Sequence, residues 1–421
     1  MQNSVLGSIG LGYQPLWNAA RNLCGFRLFV QSASQETLNP PHLLEALHHL
    51  WSGPRTTLLV SPRTPELLCG LLEHAMTDMP MLEVHIRWLA DPEVFRRVKL
   101  ALAQGLPLVW QGELPHTPSL QVLHRHFPRQ VLELRAEEAL KALQVGQLHL
   151  HTGPAAQRLH PSNPSPQSPV QPGQVYENLA SHFLVEHALD HQRAAAVAGW
   201  PVDDVMHEHR QYRTLPRLDT IQHMLHALNA DESMESVEAY LCEDPALAYR
   251  FMIHANSAAH GLRTGVDSLR HGLMMLGYTS LKHWLQGQLS SASVALNLKP
   301  VFSGMVMRAK LLEHLLDAGA GGDLQRELYL CGLFSQLDVL LGEPMHAILA
   351  RLPLSERVVD ALLHNQGPYA DYLQMARLLE TPDTAATLAL CEQAELSLEE
   401  VNRVLMRVLD GLPLAHPALW A

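Results

Sequence analysis

Apolar residues along positions 1–150 fall into short runs separated by helically spaced stretches. Thr57–Ser61 (TLLVS), Leu82–Ile86 (LEVHI), Pro107–Trp110 (PLVW) and Val131–Leu134 (VLEL) have the length and composition of buried strands. Between them, PELLCGLLEHAM, DPEVFRRVKLALAQG and SLQVLHRHF repeat their apolar positions at helical spacing. Strands alternating with helices predict a parallel sheet with helices outside it. Residues 153–174 are dense in Pro, Ser and Gln and too poor in apolar residues to fold, so a flexible loop is expected there. Beyond it, Tyr176–Asp190 reads as a helix and Ala194–Trp200 (AAAVAGW) as a strand.

From about Arg217 the period is helical to the end. Ile221, Met224, Leu225 and Leu228 form one stripe. The stretch Asp244–Gly277 predicts two helices meeting at a polar corner. Asp244 caps the first, Pro245 fits its first turn, and Asn256-Ser257 with Gly261 break it. Asp267-Ser268 offers a cap for the second, which ends at Gly277. Further helices are expected over Thr279–Asn297, Gly304–Asp317, Leu324–Leu341, Ser355–His364, Tyr369–Leu379, Pro382–Ala394 and Ser397–Leu409. No fixed-period repeat marks a solenoid. The pattern therefore predicts an α/β domain over 1–207, containing the 153–174 loop, and an all-α domain over 208–421.

Composition narrows the function classes. Of 421 residues, 47% are hydrophobic and 17% charged, which fits folded domains. A net charge of −12, with no Lys/Arg run, argues against nucleic acid or an anionic membrane as the main partner. Cys24, Cys69, Cys242, Cys331 and Cys391 are scattered and never form a C-x-x-C pair, which points to reduced thiols in a cytoplasmic setting. The opening residues lack the pattern of a signal peptide, and no apolar run reaches the ~18 residues of a membrane span. His48-His49 and His124/His126 have no Cys or carboxylate at ligand spacing. His254 and His271 lie beside apolar helical faces. Met274-Met275, Met305 and Met307 suit either a core or an adaptable binding face. The run AGAGGD at 318–323 lacks the Lys and Ser/Thr of a phosphate-binding loop and reads as a helix connection.

Two motif sets carry resemblances. YQPLWNAARNLCGFRLFV resembles the opening of an EAL domain, a TIM-type barrel whose intact members hydrolyse cyclic di-GMP, and Gly199-Trp200 resemble its late strand. The resemblance implies a site in which carboxylates hold two divalent metals that orient and deprotonate a water. By that match the signature Glu becomes Arg27, the strand Asn becomes Leu59, and Glu83 survives while its partner becomes Ile86. The Asp-Asp pair becomes Gln111-Gly112, the Lys falls at Glu133, the late Glu near Ser181 and the final Gln at Ala198. The run "DPAL…R…ANSA…G…SLR…LG" resembles the HDOD domain, a helical output module related to HD phosphohydrolases. Against the phosphohydrolase pattern, Gly332–Asp338 carries Ser335-Gln336 where His-Asp would stand, Asp338 lies two places beyond, and the preceding helix offers only His314.

Together these segments resemble the bacterial EAL–HDOD signal-transduction family: a degenerate TIM-type, EAL-like barrel followed by an all-α HDOD domain. The resemblance implies a cytoplasmic, non-catalytic regulator with no catalytic residue, metal or cofactor of its own. It would work through contacts with another signalling protein, in cyclic di-GMP signalling or motility. A cyclic-dinucleotide sensor, or an atypical phosphodiesterase or phosphohydrolase, is the competing expectation.

Overall fold

The structure, a computed structural model, describes residues 5–33, 39–50, 57–77, 79–152, 164–209, 216–257, 265–316, 322–415 and 419. Packing divides the chain into two units, Met1–Pro201 with Leu378–Ala421, and Val202–Arg377.

The first unit is a closed barrel of eight strands in sequential order. They are β1 (Ile9–Trp17), β2 (Leu23–Ser32), β3 (Thr57–Pro62), β4 (Met81–His85), β5 (Leu108–Gly112), β6 (Arg129–Glu133), β7 (Val175–Glu177) and β8 (Ala196–Ala198). β1 runs antiparallel to both β2 and β8, and the other neighbours are parallel. The intervening helices start where the sequence supplies caps. Thr64 accepts from the Leu67 N–H ahead of Pro65–His74, and Asp91 caps Pro92–Ala103.

Alternation along the strands builds the interior. Leu16, Leu59, Val109, Val131, Val175 and Ala196 belong to one apolar cluster, with Met81 packed against it. Two residues further along β3 to β7 stand Ser61, Glu83, Gln111, Glu133 and Glu177, so the same inner face turns polar toward the strand C-termini.

Two expectations change. The helix predicted over Tyr176–Asp190 begins only at His182, because Val175–Glu177 is a strand, and His187–His191 closes it as a π-helical turn. The segment 153–174 lies partly outside the described residues. Within them Ser168 Oγ pairs with His187 Nε2 at 2.9 Å, and the Gln171 N–H donates to Tyr176 Oη at 2.6 Å. Those residues are tied to the barrel unit.

The sequence-based boundary placed all of 208–421 in one helical domain, whereas packing assigns Leu378–Ala421 to the barrel unit. Helix Leu398–Asp410 carries Asn402, whose Nδ2 donates to the Leu6 and Ile9 carbonyls, both at 2.7 Å. Helix Thr384–Gln393 lies against β1 and β2, and Thr384 Oγ1 donates to Gln31 Oε1 at 2.7 Å. Leu419 joins the apolar floor cluster.

The second unit is helical. Asp244 caps Pro245–Ala255 as expected, accepting from the Leu247 N–H at 2.9 Å and from the Arg217 N–H at 2.6 Å. Burial raises the Asp244 carboxyl to about 6 despite these two donors. Ser268 caps the next helix, Leu269–Gln288, which breaks at Gly277 with φ +67°, a backbone angle that favours glycine. The polar corner between these helices is held by Asn256. Its Nδ2 donates to the Met252 and Val266 carbonyls at 2.8 and 2.9 Å, and its Oδ1 accepts from the Val266 N–H at 2.6 Å. Gly261 of that corner lies outside the described residues. No described helix is long and apolar enough to cross a membrane.

Candidate functional site

The polar end of the barrel interior centres on Arg27, which is 3% exposed. Its Nε donates to Glu83 Oε2 at 2.8 Å, and its Nη1 donates to Glu177 Oε2 at 2.5 Å and to Gln14 Oε1 at 3.3 Å. Gln111 Nε2 donates to the other oxygen of Glu177 at 2.6 Å. Thus β1, β2, β4, β5 and β7 each contribute one side chain to a single buried network.

One guanidinium between two buried carboxylates sets the electrostatics. Burial pulls the Arg27 pKa down, but Glu83 and Glu177 outweigh it and hold the proton more firmly than usual. Burial raises the Glu83 carboxyl; Arg27 opposes that shift and the second carboxylate adds to it. Above the network, burial and then Arg87 push the His85 imidazole down to about 4, so it is neutral near pH 7. Its Nδ1 accepts from the Arg87 N–H. The Arg63 guanidinium lies over the Phe29 ring, 5.5 Å from its centroid, while Arg27 lies 4.9 Å from the same ring.

Several matched positions take no part in this network. Leu59 and Ala198 are buried in the apolar cluster. Ile86 opens a short 3-10 helix, Glu133 Oε1 accepts from Asn178 Nδ2 at 3.0 Å, and Ser181 caps His182–Glu186. Glu177 was missed because its strand was read as helix. The alternation Val175, Glu177 beside Val131, Glu133 is the signal that could have found it.

The helical unit has a smaller buried polar centre. Arg308, 6% exposed, donates from Nη1 to Ser335 Oγ at 2.8 Å, and Ser335 Oγ donates to the Gly332 carbonyl at 2.7 Å. Gln336 precedes the short helix Leu337–Leu341, and the backbone carbonyl of Asp338 accepts the Gly342 N–H that closes it. A cleft of about 450 Å³ in this unit is lined by Glu238, Cys242, Lys310, Glu313 and Tyr329 among others, but not by Arg308 or Ser335.

The remaining candidates resolve singly. His254 stacks on Trp284, His271 Nδ1 lies 3.4 Å from Asp267 Oδ1, and His124 Nε2 lies 3.1 Å from Gln130 Oε1. Met305 and Met307 are core, whereas Met274 and Met275 are exposed. The side chains of His48-His49 and most of 318–323 lie outside the described residues. Among the described residues, no group of three or more His, Cys, Asp or Glu is disposed to hold a metal ion.

Residues 215–345 match the HDOD domain model. The uncharacterized protein YuxH of Bacillus subtilis is 27% identical over 44% of this chain and 46% of its own length. The cyclic di-GMP phosphodiesterase CdgJ of Vibrio cholerae is 24% identical over 40% of this chain and 39% of its own. The chain thus spans less than half the length of these curated relatives. The EAL enzyme Bd1971 in its cGMP-bound form is 12% identical with a TM-score of 0.28, over 46% of this chain and 60% of that one. The chain carries a closed eight-stranded barrel followed in sequence by an HDOD domain.

Proposed function

We propose that this chain is a non-catalytic component of cyclic di-GMP signalling that acts by contact with another signalling protein. The observation that carries this reading is the Arg27 guanidinium bonded to both Glu83 and Glu177. Metal-assisted phosphodiester hydrolysis needs carboxylate oxygens free to hold divalent ions, which then orient and deprotonate a water. Here a fixed cation takes up one oxygen of each carboxylate, and Gln111 takes the second oxygen of Glu177. A divalent ion brought to the same oxygens would face the guanidinium charge at short range, where repulsion in a buried site is strong. In the helical unit, Ser335 and Gln336 are neutral hydrogen-bonding groups with little affinity for a hard divalent ion. The link to cyclic di-GMP is supported by the CdgJ match, and the helical output role by the HDOD match.

The test is incubation of the purified chain with cyclic di-GMP and manganese or magnesium, with calorimetry alongside. No product and no micromolar binding are expected. Turnover that disappears in Glu83→Ala would overturn the reading, because it would place Glu83 in a working catalytic site.

A further inference from the structure

The β1–β2 hairpin is covered, beyond the Arg27 network, by a segment from late in the chain. Residues directly opposite in an antiparallel pair share a face. Gln14 opposes Arg27, Gly12 opposes Phe29 and Gly10 opposes Gln31, so all six lie on the face that bears the buried Arg27 network. Phe29 and Gln31 continue β2 toward its C-terminal end, the end at which TIM-type barrels bind ligands. There the segment Leu378–Gln393 lies on the inner face of the β1–β2 hairpin. A Cβ at Gly12 would collide with the Thr381 carbonyl, and one at Gly10 would come within 2.9 Å of Leu388 Cγ and the Thr384 carbonyl. Two glycines in alternate positions clear the bed for this segment. Thr384 bonds Gln31 at 2.7 Å, and Asp383 steadies the charge of Arg63.

The contact mixes polar groups with apolar ones, Leu390 being buried in it beside two threonines. Thr384, Thr387 and Cys391 recur at helical spacing and are all buried. The Thr387 hydroxyl is fully buried and has no hydrogen-bond partner among the described residues, which weakens the contact. We propose that Leu378–Gln393 is a detachable cover: it leaves the hairpin while the barrel stays folded, and so gates access to the Arg27–Glu83–Glu177 interior. This goes beyond the reading of the barrel as non-catalytic and holds whether or not the barrel turns over a substrate.

Three buried thiols report on it. Cys391 lies in the cover, Cys24 in the barrel floor cluster and Cys331 in the helical unit. Burial raises Cys391 to about 11 and both others to about 12, so each labelling rate is normalised to the rate of the same cysteine in unfolded protein. Alkylation of the native full chain, read by peptide mass spectrometry, should find Cys391 protected at least ~10-fold less than Cys24, as sub-global opening requires. Asp383→Ala removes the cap that accepts from the Ala386 N–H and should speed Cys391 labelling roughly fivefold while leaving Cys24 unchanged. Equal protection of Cys391 and Cys24 in the native chain would overturn the proposal, as would a parallel rise of both in Asp383→Ala. Either would make the helix an inseparable part of the barrel.

Discussion

A buried arginine holds a polar centre in each unit, and the two contacts described, Arg27 with Glu83 and Glu177 and Arg308 with Ser335, differ. Arg27 gathers side chains from strands far apart in the sequence and is paired with two carboxylates. Arg308 meets a neutral hydroxyl across a helix pair, and that hydroxyl is also bonded to a backbone carbonyl. The lesson is that a buried polar contact matters through what its loss leaves behind. Loss of Arg27 strands two negative charges in a low-dielectric interior. Loss of the Arg308 contact leaves a serine that keeps a partner.

The largest effect follows directly. Arg27→Ala should destabilise the full chain by about 3–5 kcal/mol, the penalty for removing one partner of a buried ion pair. The triple change Arg27→Met, Glu83→Gln, Glu177→Gln should recover much of that loss, since it removes the charges together. Denaturant melts of both variants sharpen the comparison. A single mutant as stable as wild type would break it.

The Asn256 corner comes next. Its three hydrogen bonds to backbone groups predict a loss of roughly 1–3 kcal/mol in Asn256→Ala. An unchanged denaturation midpoint would leave Asn256 without a structural role and make this corner a candidate interface. In Ser335→Ala, by contrast, the buried Arg308 loses a single charge-assisted hydrogen bond, so roughly 1.5–3 kcal/mol is expected. A loss as large as that of Arg27→Ala would erase the distinction between the two centres.

A further effect is one of pH. Asp244 stands at about 6 in the folded chain against an ordinary 3.8, because burial disfavours its charged form. A carboxyl raised on folding contributes stability that is fully present below the unfolded value and is lost as pH rises through the folded value. Stability should therefore fall between about pH 4 and 6 through this group. Asp244→Asn should flatten that slope; it keeps only one accepting oxygen for the Leu247 and Arg217 N–H groups, so roughly 1–3 kcal/mol should also be lost at neutral pH. Melts of wild type and variant across this range measure it, and an unaltered slope would remove Asp244 as its source.

Sequence pattern conveyed much of this architecture, and its failures have physical causes. β3 to β6 are legible because each is a short apolar run bounded by helical spacing. β7 is only three residues, Val175–Glu177, joined to the helix beyond by residues whose spacing mimics a helical face. With β7 misread, Glu177 was lost, and with it the reason that Arg27 can be buried. The Asp244 and Asn256 roles were legible because capping and corner chemistry is local. The placement of Thr384–Gln393 and Leu398–Asp410 was not, since a buried helical face does not state which core it joins. The glycines that receive the first of these, Gly10 and Gly12, lie more than three hundred residues away in sequence.

The most direct test of a barrel centred on its own cation is thermal melting after chelation, with and without manganese or magnesium. A functional metal site would stabilise the fold by mass action, by about 2.7 kcal/mol when the ion is present at about 100 times its dissociation constant. The expected result is superimposable melts and no stoichiometric metal by elemental analysis. A metal-dependent rise in melting temperature, abolished by Glu83→Gln, would show divalent ions reaching the carboxylates that Arg27 holds and would contradict it.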